Sequence, residues 1–186
     1  VKQLVFSSSC AVYGTPAVLP VNEMSAIRPE SPYGETKAVV EQMLRWYDDC
    51  CDLRYISLRY FNAAGAWPDG SIGEDAQFTR NLIPIVMKAA LGINTSVKIY
   101  GTDYPTLDGT AIRDYTHVLD LANGHIMALE YLRKRGQSQI INLGTGKGTS
   151  VKEIIDTAKR VIGKDFAVEY TERRPGDPAA VYADNT

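Results

Sequence analysis

The chain alternates short apolar runs with longer amphipathic stretches, and this alternation restricts its fold more than any other feature. The apolar runs have the length and composition of buried strands; they lie at 2–9, 53–61, 96–101, 139–146 and 166–170. The stretches between them are predicted to be helices; they lie at 33–50, 79–92, 116–135 and 150–163. Strands that alternate with helices predict an α/β fold with a largely parallel sheet.

Two stretches between these elements read as irregular, at 62–77 and 102–115. The first is long, polar and rich in glycine, and a loop of this length in a compact domain is usually functional or mobile. The helix at 79–92 contains Pro84, which lacks a backbone N–H, so we expect a kink there.

Composition excludes several classes of partner. The net charge of −2 gives no reason to expect nucleic acid or a membrane surface, and we expect neither a signal peptide nor a membrane span, because the sequence has no long apolar run. Cys10, Cys50 and Cys51 have no metal-ligand spacing, so we expect no metal site and a reducing, cytoplasmic setting. The chain begins at Val1 and enters a strand almost at once, so we expect a fragment of a longer protein.

Polar residues stand at the ends of three predicted strands. Ser7, Ser8 and Ser9 end the first, Asn62 follows the second, and a glycine and a threonine end the fourth. Ligands of open parallel sheets bind beyond the carboxyl ends of the strands. The sequence therefore predicts a binding site at this edge.

Tyr33 and Lys37 open the first helix, after Ser31 as a fair N-cap. Residues four apart share a helix face, so the ammonium can lie beside the phenol ring and favour the phenolate, which is a usable general base. Chance alone gives about 0.5 such pairs in this composition, so the pair could equally be two helix residues on one face. Its position after a strand that ends in three serines favours an active site, because a serine hydroxyl there can hold a substrate oxygen near the base.

Seven segments in collinear order resemble the UDP-galactose 4-epimerases, which belong to the extended short-chain dehydrogenase/reductases. The segments are SSSCAVYG, SPYGETK, LRYFNAAGA, TRNL, DGTAIRDYTHVLDLA, NLGTGKGTSVKE and RRPGDPAAVYAD. The resemblance implies a Rossmann-like doubly wound parallel sheet, partial because its N-terminal half is missing, with a smaller C-terminal substrate-binding region. Residues 1–62 would be part of the dinucleotide-binding domain. Residues 63–186 would bind substrate and return to the Rossmann sheet at about 115–150.

The resemblance also implies roles for individual residues. Ser9, Tyr33 and Lys37 would be catalytic, and together with Phe61 they would contact the cofactor, NAD. Hydride would pass from C4 of the hexose to NAD while the tyrosine takes the 4-hydroxyl proton, and would return to the opposite face after the 4-keto sugar has turned. The full-length protein would be a homodimer.

The substrate implied by the resemblance is a UDP-hexose. The residues expected to hold it are Asn62, Asn81, Leu82, Lys98, Ile99, Tyr100, Arg113, Arg174 and Asp177, with Val181 beside the sugar. Arginine forks match diphosphate oxygens. Taken singly, Arg113 or Arg174 could instead form an ordinary surface salt bridge.

The sequence departs from this family in two ways. The G-x-x-G-x-x-G turn that binds the cofactor phosphates is absent, and GTGKGTS at 144–150 has a different spacing. We therefore expect this chain alone to be inactive. The second departure is Val181, where many members carry a large aromatic residue, so UDP-N-acetylglucosamine is an alternative substrate.

Two other classes of protein are alternatives. A nucleotide-sugar dehydratase or decarboxylase needs acidic residues just after the strand serines, where this chain has Cys10 and Ala11. A non-catalytic NAD-binding relative commonly lacks the tyrosine or the lysine, and this chain keeps both.

Overall fold

The computed structural model describes residues 1–75 and 77–186. Its helices are α1 (Pro32–Cys51), α2 (Leu82–Ala90), α3 (Val118–Arg135) and α4 (Val151–Ile162). Its strands are β1 (Gln3–Ser7), β2 (Arg54–Tyr60), β3 (Asn62–Ala64), β4 (Ser96–Tyr100), β5 (Ile112–Arg113), β6 (Tyr115–His117), β7 (Gln139–Leu143), β8 (Thr149–Ser150), β9 (Ala167–Thr171) and β10 (Ala180–Val181). The mixed α/β fold with parallel strands is therefore confirmed.

The central sheet has the strand order β1-β2-β7, and both pairs are parallel. Ile56 and Leu58 of β2 pack against α3, whereas Arg59 bonds to α1. Because successive side chains of a strand point to opposite faces, α1 and α3 cover opposite faces of this sheet. Its three carboxyl ends meet at one edge, as expected.

Local sequence sets the ends of the helices. The Ser31 and Ser150 hydroxyls accept hydrogen bonds from first-turn amides of α1 and α4 and cap these helices. Gly163 ends α4 with a φ of 69°, in the left-handed region that favours glycine. Pro84 does not require the expected kink, because α2 begins at Leu82 and the proline lies in its first turn. N–H groups of the first turn have no partner within the helix, so a proline there removes no hydrogen bond.

The remaining strands form small sheets beside the central one. β4 pairs with β9 and β3 with β6, in parallel, while β5 lies between β10 and β8. Two of these strands, β3 and β5, lie in stretches that the sequence predicted to be irregular, because two- and three-residue strands leave little periodic pattern to detect. A second core joins α2, β4 and α4. The domain boundary at residue 62 stays a prediction.

Within residues 1–75 and 77–186, no helix has both the length and the apolar character needed to cross a membrane. The same part of the chain holds no group of three or more histidine, cysteine or acidic side chains arranged to bind a metal ion.

Candidate active site

A cavity of about 590 Å³ collects side chains that are far apart in the sequence. Eight of the ten predicted nucleotide and sugar residues line it: Asn62, Asn81, Leu82, Lys98, Tyr100, Arg113, Arg174 and Asp177. Ile99 does not, because alternate residues of β4 face opposite ways and its side chain packs in the second core. Any contact between position 99 and a nucleotide would therefore come from its backbone.

The lining of this cavity is strongly cationic, although the chain carries a net charge of −2. Its charged residues are Arg80, Lys88, Lys98, Arg113, Arg174 and Asp177, which are five cations and one carboxylate. Such an excess of positive charge in a concave site attracts an anionic ligand.

The two arginines are held by different contacts. Arg113 donates from Nη1 to the Ile112 carbonyl at 2.8 Å, and its Nη2 lies 3.8 Å from the Asp177 carboxylate. The Arg174 guanidinium stacks on the Tyr100 ring, 3.7 Å from its centroid. Each guanidinium has five N–H donors in a rigid fork, so donors remain for the oxygens of a diphosphate.

The N-terminus of α2 also faces the cavity. Asn81 occupies the N-cap position, but its side chain donates to Glu74 at 2.9 Å rather than capping the helix. Asn81 and Leu82 line the cavity. The first-turn amides and the positive end of the helix dipole therefore add to the anion-binding character of the site.

A second cavity, of about 120 Å³, adjoins the first. Asn62 and Arg113 line both, and Cys10, Ser31 and Val181 lie on the wall of the smaller one. Since Ser31 is the N-cap of α1, the two cavities lead from the cationic lining toward the helix that carries Tyr33 and Lys37.

Tyr33 and Lys37 lie side by side at the carboxyl edge of the central sheet. The Lys37 Nζ is 5.5 Å from the centroid of the Tyr33 ring and donates to the Ser7 carbonyl at 2.9 Å. Tyr33 is 54% exposed, so its phenol is accessible to a ligand.

Ser9 follows β1 at the same edge. Its Oγ accepts a hydrogen bond from the Ala11 amide at 3.2 Å and caps the 3-10 turn Cys10–Tyr13, so the hydroxyl proton stays available to a substrate oxygen. The start of α1 approaches this turn closely: a Cβ at Gly34 would lie 2.5 Å from the Ala11 carbonyl oxygen. Glycine at position 34 therefore lets α1 reach the segment that carries Ser9.

Phe61 and Val181 are buried, as Ser9 and Ile99 are. Phe61 is 7% exposed and belongs to a core cluster with Val12, Tyr13 and Val181, and it lines neither cavity. Its contact with the cofactor stays a prediction. Val181 packs in that core and also borders the smaller cavity.

Sequence reasoning assigned no role to several residues of this site. Arg80 and Tyr115 line the large cavity, although both stand inside segments that carried the resemblance. Asp114 is fully buried and accepts hydrogen bonds from Thr145, Gly146 and the Ala183 amide. The sequence feature that could have pointed to Asp114 is its position directly after Arg113, a predicted substrate-binding residue.

Cys10 occupies a position where a dehydratase would need an acid. Burial raises the pKa of its thiol to about 12, against the opposing effect of the Arg113 charge. A group with so high a pKa transfers protons poorly at neutral pH. This chemistry favours an enzyme that needs no further acid here.

The same pKa predicts the reactivity of the three free thiols. At mildly alkaline pH, iodoacetamide should modify the exposed Cys50 and Cys51 and leave Cys10 unmodified, because the thiolate is the nucleophile. Peptide mapping by mass spectrometry checks this, with urea-unfolded protein as the control in which all three react. Equal rates at the three cysteines in the folded protein would contradict the raised pKa of the Cys10 thiol.

Comparison with known proteins shows which family this chain resembles. The sequence model of the NAD dependent epimerase/dehydratase family matches residues 1–144. A curated relative named UDP-glucose 4-epimerase, from Halalkalibacterium halodurans, is 52% identical over 183 residues, which cover 98% of this chain and 55% of the relative.

Solved structures agree. The UDP-glucose 4-epimerase of Brucella ovis in complex with NAD superposes with a TM-score of 0.93 at 49% identity, covering 98% of this chain and 56% of that one. The enzyme of Bifidobacterium longum in complex with NAD⁺ and UDP gives 0.89 at 42% identity, covering 99% of this chain and 56% of that one. The chain therefore spans about half the length of the relatives that it matches. Because the matched segment of the family model covers well over half of the sequence, the chain belongs to the NAD dependent epimerase/dehydratase family.

Proposed function

We propose that the complete protein carrying this chain interconverts UDP-galactose and UDP-glucose. The observation that carries the proposal is the juxtaposition of a cationic cavity with a second cavity at the start of the helix that bears the Tyr33–Lys37 pair. The cationic lining suits a diphosphate, and the pair suits proton removal from a sugar hydroxyl. The names of the relatives agree with this assignment.

NAD is the proposed cofactor, and it would accept a hydride from C4 of the hexose and return one to the opposite face. The residues present fit its nicotinamide end. Tyr33 and Lys37 lie at the carboxyl edge of a parallel sheet, where dinucleotides bind, with the Lys37 ammonium fixed to the Ser7 carbonyl. Lys37 would donate to ribose hydroxyls, and Ser9 lies beyond the same strand.

The chain's own residues would handle the proton and hold the substrate. The Tyr33 phenolate would accept the 4-hydroxyl proton, while Ser9 donates a hydrogen bond to the same oxygen. Arg113 and Arg174 would anchor the diphosphate, so the keto sugar can turn while the nucleotide stays bound. Tyr33 would then return its proton to the 4-keto oxygen, so that the hydroxyl forms again with C4 inverted.

The direct test gives UDP-galactose to the complete polypeptide and follows its conversion to UDP-glucose and the release of NADH. We expect conversion without net NADH release, because the hydride returns to the same sugar. A bound nucleotide without conversion would support a non-catalytic NAD-binding relative, and loss of water from the hexose would support a dehydratase.

Arg174 and Arg173 offer a matched pair for the diphosphate site. Each stacks on a tyrosine ring, but Arg174 lines the cavity, whereas Arg173 pairs with Asp103 outside it. Arg174→Ala should weaken UDP binding by about 1.5–3 kcal/mol, roughly ten- to a hundredfold in Kd, through the loss of charge-assisted hydrogen bonds. Calorimetric titration with UDP measures this. An equal loss of UDP affinity in Arg173→Ala would show that the diphosphate does not bind at Arg174.

Acceptance of UDP-N-acetylglucosamine is a second substrate proposal, supported by the small side chain of Val181 on the wall of the smaller cavity. Val181→Leu should then lower kcat/KM for the N-acetylated substrate more than for UDP-glucose. Parallel losses for the two sugars would contradict it.

A homodimer in the cytoplasm, without a nucleic-acid or membrane partner, is the proposed assembly. Val39, Met43 and Trp46 form an exposed apolar patch on α1 that a second copy could cover. Sedimentation of the complete protein and of its Trp46→Glu variant tests the dimer. An unchanged sedimentation coefficient in the variant would show that the interface lies elsewhere.

The three free cysteines agree with a reducing compartment, which cell fractionation tests.

A further inference from the structure

A buried carboxylate joins helix α1 to the strand that ends at the catalytic edge. Glu41 is 6% exposed, although glutamate is rarely buried. Its Oε1 accepts a hydrogen bond from the Ser8 hydroxyl at 2.6 Å, and Ser8 is fully buried. Ser8 directly precedes Ser9, the proposed catalytic serine.

The charge of Glu41 is balanced by Arg59 of β2. Arg59 donates from Nε to Glu41 Oε1 at 2.9 Å and from Nη2 to Oε2 at 2.5 Å. Arg59 also donates to the Tyr13 hydroxyl at 3.1 Å, which in turn donates to Asn142 of β7 at 2.7 Å. The hydrogen bonds of Glu41 therefore extend across the sheet instead of ending at one partner.

The spacing of these contacts matches the helix to the strand. Tyr33, Lys37 and Glu41 follow at intervals of four, so they share one face of α1. Lys37 bonds to the Ser7 carbonyl and Glu41 to the Ser8 hydroxyl. Two neighbouring residues at the end of β1 thus bond to successive turns of α1. These contacts fix the position of the helix, along its own axis, relative to the strand.

We propose that Glu41 is a positioning residue: its bond to Ser8 sets the axial position of α1 and thereby the placement of Tyr33 relative to Ser9. The inference rests on the proposed epimerase function and deepens it. Glu41 lies two helical turns from Tyr33 and acts on the reaction only through the helix. A misplacement of about 1 Å can cost roughly a hundredfold in rate, so a change at Glu41 should reach the reaction.

The test uses the complete polypeptide with its bound cofactor. Ser8→Ala removes the hydroxyl and leaves the Glu41–Arg59 pair intact, so it remains informative if Glu41→Gln folds poorly. We expect kcat for UDP-galactose to fall roughly tenfold in Ser8→Ala and roughly a hundredfold in Glu41→Gln, with KM within about twofold of wild type. Glutamine keeps one oxygen that can accept from Ser8, so Glu41→Gln weakens this link without deleting it. The losses in the double variant should therefore be less than additive, because both changes act on the same contact between α1 and residue 8.

Two variants serve as matched controls. Glu35→Gln makes the same change at an exposed position of the same helix. Ser57→Ala makes the same change at a fully buried serine of β2, whose hydroxyl has no hydrogen-bond partner in the described part of the chain. Both should keep kcat within about twofold of wild type, because neither side chain links the strand to α1.

Amide hydrogen exchange gives a readout that does not depend on activity. In Ser8→Ala, exchange at residues 33–37 should accelerate, while α4 keeps its wild-type protection. Faster exchange in both helices would indicate general destabilisation and overturn the positioning role, as would wild-type kcat in Ser8→Ala. If the wild-type protein does not interconvert the sugars, both the proposed function and this inference are wrong. If the wild-type protein is active but the variants keep its rate, only this inference is wrong.

Discussion

Replacing Tyr33 with phenylalanine should lower kcat for the sugar interconversion by a factor of about 10² to 10⁴, the usual contribution of a positioned acid–base group. Phenylalanine keeps the ring beside the Lys37 ammonium, 5.5 Å away, and removes only the hydroxyl. Because Tyr33 is half exposed, the free energy of unfolding should change little. Steady-state rates with UDP-galactose, UDP titration and urea unfolding measure the three quantities.

Tyr47→Phe is the matched control, because Tyr47 is an equally exposed tyrosine on the same helix, more than three turns away. It should retain the wild-type rate. An unchanged rate in Tyr33→Phe would remove Tyr33 from the mechanism. If Tyr33→Phe lowers both the rate and the affinity for UDP, the substitution disturbs the site as a whole.

Replacing Asp114 with asparagine should lower the free energy of unfolding by at least about 3 kcal/mol, because several hydrogen bonds to a buried charge are weakened together. The carboxylate is fully buried and accepts bonds from the Thr145 amide at 3.0 Å, the Thr145 hydroxyl at 2.6 Å, and the Gly146 and Ala183 amides at 3.2 Å. An amide group has only one oxygen, and its NH₂ would face these donors.

Urea denaturation of the two proteins checks this, with Asp156→Asn as the control. Asp156 forms an exposed ion pair with Lys152 four residues earlier in α4, and its replacement should cost less than about 1 kcal/mol. Asp114 follows Arg113 and holds the segment that contains Val181, so UDP binding should weaken as well. Similar unfolding free energies for the two variants would show that the buried carboxylate does not hold these segments together.

Elements governed by short-range spacing were predictable from the sequence. The helix cap at Ser31 and the five longer strands lie as predicted. The closeness of Tyr33 and Lys37 follows from the same spacing. The resemblance to known epimerases added eight residues of the cationic cavity, which no periodic pattern would have brought together.

Only the tertiary structure decided which charged residues are buried. In the sequence, Glu41 is one more acidic residue on an amphipathic helix and Asp114 one more in a loop, and such residues are normally solvated. Their burial depends on Arg59 and on amides at residues 145, 146 and 183, which are far away along the chain.

The sequence by itself determined the helices, the strands and the face of α1 that carries Tyr33 and Lys37, because hydrogen bonding and side-chain spacing within an element are local. The tertiary structure decided how that face meets β1 and which cations share one cavity. Those distances depend on packing between segments separated by tens of residues, so no window of the sequence contains them.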